Sequence, residues 1–219
     1  MKVTSLGSCR QHSLQQHFSV TQIQERLTYP HYTKEILQAI EFCKGISAIP
    51  GPLTQSLFRS GILEQRSLDP RQFKEEFEST NLFVVEIASR LAYRYKGFYA
   101  HHILTEPQYG CQDPEALEIY TQSDEEIEAD LLRIRDLLAP KPCLIVSHIY
   151  TRTIGSRHTL VRLLERLCSK HKIPFLDPMN CLSPPYDLLF ELDESHYTAL
   201  GHQKIGRHYM DALCQIVLK

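Results

Sequence analysis

Leu82-Phe83-Val84-Val85-Glu86-Ile87 is a six-residue run, apolar at every position but one. It is too short for a helix and rich in β-branched and aromatic side chains, as expected of a parallel strand covered on both faces. A second such run, Cys143-Leu144-Ile145-Val146, ends at Ser147-His148. Between the two stands Ser123-Asp124-Glu125-Glu126, a capping box, followed by Ile127, Leu131, Ile134 and Leu138 at the spacing of one helical face. Strand, helix, strand predicts a right-handed crossover and a parallel sheet.

The alternation extends in both directions. Lys2–Leu6 reads as a first strand ended by Gly7, residues 10–17 as a helix and 18–23 as a second strand. Thr33 is placed to cap a helix with Ile36, Leu37, Ile40 and Cys43 on one face, and residues 71–79 form a short helix with Phe73 and Phe77 inward. Residues 45–70 are broken by Pro50, Gly51, Pro52 and Gly61 and resist assignment. Beyond the second apolar run come a helix over 158–170, a short strand over 174–176 and a final helix over 199–217. The expected fold is α/β, a three-layer α/β/α sandwich around a central parallel sheet, in one domain spanning 1–219. Residues 91–122 fit the alternation least. This stretch holds Tyr93, Tyr95, Phe98, Tyr99, His101, His102, Tyr109 and Cys111 with little periodicity. It is read as a lid-like insertion forming a substrate platform, or as a surface excursion covering the core.

Composition narrows the class. A chain of 219 residues with a formal charge of −2 is built for one core, and its balance argues against bulk binding to nucleic acid or an anionic membrane. The N-terminus runs into a strand without an apolar leader, and no stretch is long enough to span a bilayer. The seven cysteines show no Cys-x-x-Cys pairing, which predicts free thiols in a reducing, cytoplasmic setting.

Two polar blocks carry the chemistry. Gly7-Ser8-Cys9-Arg10 lies where the first strand turns into a helix. Backbone N–H groups and the helix dipole there favour negative charge, and a thiol so placed is a candidate nucleophile. The plainer reading is a small buried Cys at a strand–helix junction. Asp193-Glu194-Ser195-His196 precedes the last amphipathic helix. An Asp that fixes one imidazole nitrogen leaves the other free to take a proton, although such a spacing also suits a loop salt bridge. In an open parallel sheet both blocks fall on the same edge.

The pair resembles the SGNH (GDSL-like) hydrolase superfamily, whose first block is Gly-Asp-Ser after strand one and whose last is Asp-x-x-His before the final helix. Ser8 stands at the family's Asp and Cys9 at its nucleophilic Ser. Asp193, His196 and Gly201 match the last block. Gly-Ser-Cys is closer to branches with Gly-Ser-Cys or Gly-Asn-Cys, including the GSCFA-type proteins and acetyltransferases of bacterial capsule polysaccharide synthesis. The resemblance implies a Cys9–His196–Asp193 triad, an acyl-thioester intermediate, acetyl-CoA as acyl donor without a bound cofactor, and a carbohydrate or polysaccharide precursor as acceptor. Esterase activity and a catalytically inactive carbohydrate-binding or assembly protein are the alternatives. The family's Gly-x-Asn-Asp after the central strand is missing, and Ala88-Ser89-Arg90 stands in its place. Ser89 or Arg90 would then serve the oxyanion, or Arg90 would hold a carboxylate or phosphate. The family's second-block Gly corresponds to Gly51 or Gly61.

Gly7, Ser8, Arg10, His31 (in Tyr29-Pro30-His31-Tyr32) and His148 (before Thr151, Arg152 and Arg157) complete the expected wall of the site. A metal centre from His101, His102, Cys111 and His148 is not expected, because their spacing lacks a ligand pattern.

Overall fold

The computed structural model describes residues 1–109, 111–150, 154–193 and 196–218. In chain order its strands are β1 (Lys2–Leu6), β2 (Ser19–Val20), β3 (Leu82–Ile87), β4 (Leu91–Tyr95), β5 (Phe98–Tyr99), β6 (Leu117–Thr121), β7 (Cys143–Ser147) and β8 (Phe175–Leu176). Its α-helices are α1 (Ile23–Arg26), α2 (Thr33–Cys43), α3 (Thr54–Leu57), α4 (Arg59–Glu64), α5 (Arg71–Glu78), α6 (Asp124–Leu138), α7 (Ser156–His171), α8 (Pro178–Cys181) and α9 (Ala199–Val217). A 3-10 helix, Cys9–Gln16, follows β1 directly.

The central sheet has the order β2-β1-β3-β7-β8, and all its pairings are parallel. Side chains alternate across it. Phe83, Val85 and Ile87 of β3 join Cys143 and Ile145 of β7 in one core with α2, α5, α6 and α7. Leu82 and Val84 join Leu144 and Val146 in a second core with Leu14 of the 3-10 helix and Ile205, Tyr209 and Leu213 of α9. That gives the three layers of the sandwich. Strand order reverses between β1 and β3, and such a switch point opens a crevice at the strands' C-terminal ends. The segments after β1 and β3 both begin there.

Some elements depart from the sequence reading. The second strand shrinks to Ser19–Val20, and Ile23 already starts α1. Thr33 does not cap α2: it is the first helical residue, and its Oγ1 donates to Asp130 Oδ2 at 2.6 Å. Residues 91–122 carry regular structure, an antiparallel sheet of order β5-β4-β6. It is stitched to α2, because Tyr32 OH donates to Tyr93 O (2.9 Å) and Ala100 O (2.7 Å). The capping box of α6 is present with both of its hydrogen bonds. Among the described residues no helix is long and apolar enough to cross a membrane.

Candidate active site

Glu86 organises the turn after β1. It falls on the sheet face that meets the 3-10 helix and α9, and it is 1% exposed. Its Oε2 accepts from Ser8 N (2.8 Å), Ser8 Oγ (2.5 Å) and Gln11 Nε2 (3.2 Å). Gln24 Nε2 donates to Ser8 O at 3.0 Å. Gly7 permits this approach: a Cβ there would sit 2.5 Å from Glu86 Cβ. Ser8 is therefore locked as N-cap of the 3-10 helix, which begins with Cys9. Cys9 is a partly buried free thiol. Elsewhere burial pushes the thiols of Cys43, Cys143, Cys168 and Cys181 up.

The Asp193–His196 turn is formed locally. Asp193 Oδ2 lies 2.5 Å from His196 Nδ1, and Asp193 Oδ1 accepts from His196 N at 3.0 Å. Nδ1 is thereby engaged and Nε2 is left to exchange a proton. Glu194 and Ser195, between them, lie outside the described residues. The turn is pinned on both sides: Glu191 N donates to His196 O (2.8 Å) and Thr198 N to Leu189 O (3.0 Å). Thr198 caps α9 by accepting from Gly201 N at 3.2 Å. At Gly201 a Cβ would fall 2.2 Å from Leu189 O, so a larger residue would push this loop off the helix. Helix α9 then packs on the 3-10 helix, with Ser13 Oγ 2.6 Å from His202 Nδ1. This packing draws the two ends of the chain to one sheet edge. His196 lies within electrostatic reach of the buried His148, whose Nδ1 is 3.8 Å from Glu86 Oε1.

A cleft of about 540 Å³ opens over the ends of β1 and β3. Arg10, His31, Ser89, Arg90, His148 and Arg157 line it. Cys9, Asp193 and His196 are not among the lining residues, and Gly7 and Ser8 are tied to Glu86 beneath the turn. Thr151 and Arg152 lie outside the described residues. Arg90 is already engaged, donating to Gln122 O (2.8 and 3.1 Å) and to Asp124 Oδ1 (2.7 Å). Ser89 Oγ accepts from Leu91 N at 2.9 Å and keeps its own proton to donate.

His31 is held by a device the sequence reading missed. Glu35 Oε2 accepts from His31 N (3.0 Å) and Glu35 Oε1 from Thr28 Oγ1 (3.1 Å), while His31 O accepts from Ala88 N and Ser89 N (both 2.9 Å). Burial raises the Glu35 carboxyl to about 8. The available signal is an acidic residue in the first turn of α2, a position that the helix dipole favours in any case. Burial, helped by His102 and Arg10, pushes His31 down to about 3. Burial, then Arg10 and Arg157, holds His148 well below the usual imidazole range.

His31, His101 and His102 bring ring nitrogens within 4.8 Å of one another, a grouping that could hold a metal ion. It includes His31 in place of the Cys111 and His148 considered from sequence. His101 Nδ1, however, accepts from Ile103 N at 3.2 Å, so its neutral ring carries the proton on Nε2 and offers no free lone pair to an ion.

Residues 1–112 match the family model described as the TviD N-terminal domain. No curated protein sequence matches the chain. Among solved structures, a carbohydrate acetylesterase from Sinorhizobium meliloti is 12% identical, with 98% of each chain covered and a TM-score of 0.42. The inhibitor-bound form of an aryl esterase from M. smegmatis is 10% identical, over 98% of this chain and 99% of that one, with a TM-score of 0.42.

Proposed function

The chain belongs to the family of the TviD N-terminal domain, and from that premise we propose that it is an acyl-transfer enzyme acting on a carbohydrate or polysaccharide precursor. The observation that carries this reading is the Asp193–His196 pair at 2.5 Å, in the turn before α9, the helix that packs on the 3-10 helix beginning with Cys9. The SGNH-like order of the two blocks supports it. Cys9 is the nucleophile, His196 the proton carrier and Asp193 the group that fixes the imidazole.

In the first half-reaction His196 Nε2 takes the thiol proton and Cys9 Sγ attacks the acyl carbonyl. The tetrahedral oxyanion is met by the Cys9 N–H and the Ser89 hydroxyl, with Arg90 the less available donor because of its bonds to Gln122 and Asp124. The bond to the donor breaks, and His196 returns the proton to the leaving group. In the second, a sugar hydroxyl attacks the Cys9 thioester, gives its proton to His196 and departs as the ester, while the thiol takes that proton back. Water in place of the sugar gives hydrolysis. Acetyl-CoA is the donor we assign, since thioester exchange needs no further activation. Free thiols throughout suit a reducing, cytoplasmic setting.

One observation favours a second reading, a carbohydrate-binding protein on an inactive SGNH scaffold: neither Cys9 nor His196 lines the cleft over the ends of β1 and β3. Incubation with acetyl-CoA and intact-mass analysis separates the two. The enzyme reading expects one acyl adduct, lost in Cys9→Ala and formed at least tenfold more slowly in His196→Ala. An unmodified mass with every acyl donor tried leaves the binding reading standing.

A further inference from the structure

A strand at the edge of a sheet leaves one row of N–H and C=O groups unpaired. Native folds blunt such edges by keeping them very short or by placing Lys or Pro in them. The edge strands of the central sheet, β2 and β8, are two residues each, and so is β5 at one edge of the small sheet. At the other edge β6 runs for five residues, Leu117-Glu118-Ile119-Tyr120-Thr121, with neither Lys nor Pro. Its single charge, Glu118, is paired with Arg94 of β4. Ile119 is 51% exposed, and Glu118 and Thr121 are exposed as well.

The ladder to β4 fixes which groups face outward. Gln122 N donates to Arg90 O (2.9 Å) and Lys96 N to Ala116 O (3.3 Å), one step beyond each end of the paired strands. In an antiparallel ladder such bonded pairs alternate with pairs that share no bond. Ala92 with Tyr120 and Arg94 with Glu118 are therefore bonded across the ladder, while Leu117, Ile119 and Thr121 turn their backbone groups away from β4. The Leu117 N–H closes the preceding turn on Pro114 O. Among the described residues, the Leu117 carbonyl and both backbone groups of Ile119 and Thr121 have no hydrogen-bond partner.

This row is symmetric about Ile119. Laid against an antiparallel copy of itself, with Ile119 facing Ile119, it pairs each Ile119 N–H with the partner's Ile119 carbonyl and each Thr121 N–H with the partner's Leu117 carbonyl. Only the Thr121 carbonyl then lacks a ladder donor, because the Leu117 N–H opposite it is already engaged. Glu118 stands opposite the partner's Tyr120, whose hydroxyl can donate, and not opposite a second carboxylate. Ile119 meets its own copy, which takes exposed apolar surface out of water. A two-fold contact of this kind closes on itself and stops at two chains.

We propose that β6 is a self-pairing edge and that the chain forms a symmetric dimer through it, joining two small sheets into one of order β5-β4-β6-β6-β4-β5. The partner is a second copy of this chain. Self-pairing does not depend on the acyl-transfer reading, but it bears on the cleft. Leu91, Tyr93 and Thr121 line the cleft, and the ladder register puts them on the same sheet face as Ile119. In the dimer the partner's Leu117 lies beside Thr121, so the second subunit continues the cleft wall. The ladder has five residues a side, below the roughly 20–30 of a standard interface, so the dimer should dissociate on dilution.

The test is sedimentation velocity of the full chain over a concentration series from the low micromolar to the millimolar range. Monomer should give way to dimer and to nothing larger. Amide exchange at both ends of the series should show Ile119 and Thr121 slowed at least tenfold in the dimer, with Glu118 and Tyr120, which face β4, unchanged. Ile119→Lys sets two like charges at the two-fold, and Ile119→Pro removes an N–H that β4 does not use. Both variants should stay monomeric at the highest concentration and melt close to the parent. A parent that is monomeric throughout, or one that grows into larger assemblies, would overturn the proposal. So would a dimer that survives in the Ile119→Lys protein, or one in which Ile119 and Thr121 exchange as fast as in the monomer, since either places the contact on another surface.

Discussion

At Gly7 a single hydrogen atom decides whether the turn leading into Cys9 can exist. The residue reads from sequence as a tight-turn glycine, but its requirement is steric, since the Glu86 side chain fills the space a Cβ would need. Gly7→Ala should cost about 1–3 kcal/mol through overpacking, measured as a lower midpoint in urea. A stability equal to wild type would show that Glu86 yields and does not clamp the turn. The Asp193–His196 pair was legible because both partners sit in one turn, three residues apart. The role of Glu86 was legible only as an acid in an apolar strand that needed a partner. That partner, Ser8, is 78 residues away, and linear spacing carries no trace of such a contact. Arg10 was visible as the neighbour of Cys9, but the burial of its Nε without a hydrogen-bond partner is a property of the folded chain.

Elements whose bonds are local were the ones read correctly. The capping box of α6 closes within four residues, with Ser123 N donating to Glu126 Oε2 (2.9 Å) and Glu126 N to Ser123 Oγ (3.2 Å). Ser123→Ala should remove about 1 kcal/mol, seen as a fall in Tm of roughly 2–4 °C for a chain of this size. An unchanged Tm would show that packing of Ile127, Leu131, Ile134 and Leu138 holds that end without the cap. Thr33 had the same local credentials, but a distant partner won: Asp130 takes its hydroxyl, with Lys34 and Gln122 on the same carboxylate. The β4–β6 ladder hid for a related reason. Its strands are separated by more than twenty residues, and Ala92, Arg94 and Glu118 give them no clean apolar alternation. The sheet is held instead by pairing and by Tyr32 reaching in from the N-cap of α2.

For the molecule as a whole, buried ionisable groups set a stability curve with two limbs. His31 titrates near 3 when folded and near 6.5 when free, so unfolding takes up protons between those values and stability drops as pH falls through that window. His148 and His101 act in the same sense. Glu35 acts oppositely. Its folded value of about 8 lies above the free 4.5, so the stability it contributes is complete below 4.5 and is lost as pH rises through 8. Melting curves from pH 4.5 to 8.5 should show a rounded maximum, with His148→Gln flattening the acid limb and Glu35→Gln the alkaline one. An alkaline limb unchanged in Glu35→Gln would place its cause elsewhere. The parallel sheet was foreseeable from the apolar runs, since alternation permits few topologies, whereas the order β2-β1-β3-β7-β8 is seen only in the fold. The meeting of the 3-10 helix with α9 is the long-range event that follows: Ser13 and His202 are 189 residues apart. During synthesis the ribosome delivers Cys9 long before His196. A chain stopped before α9 therefore carries the Cys9 thiol without His196, and if the two act together as we propose, acyl chemistry at Cys9 waits until α9 has been made and has packed on the 3-10 helix.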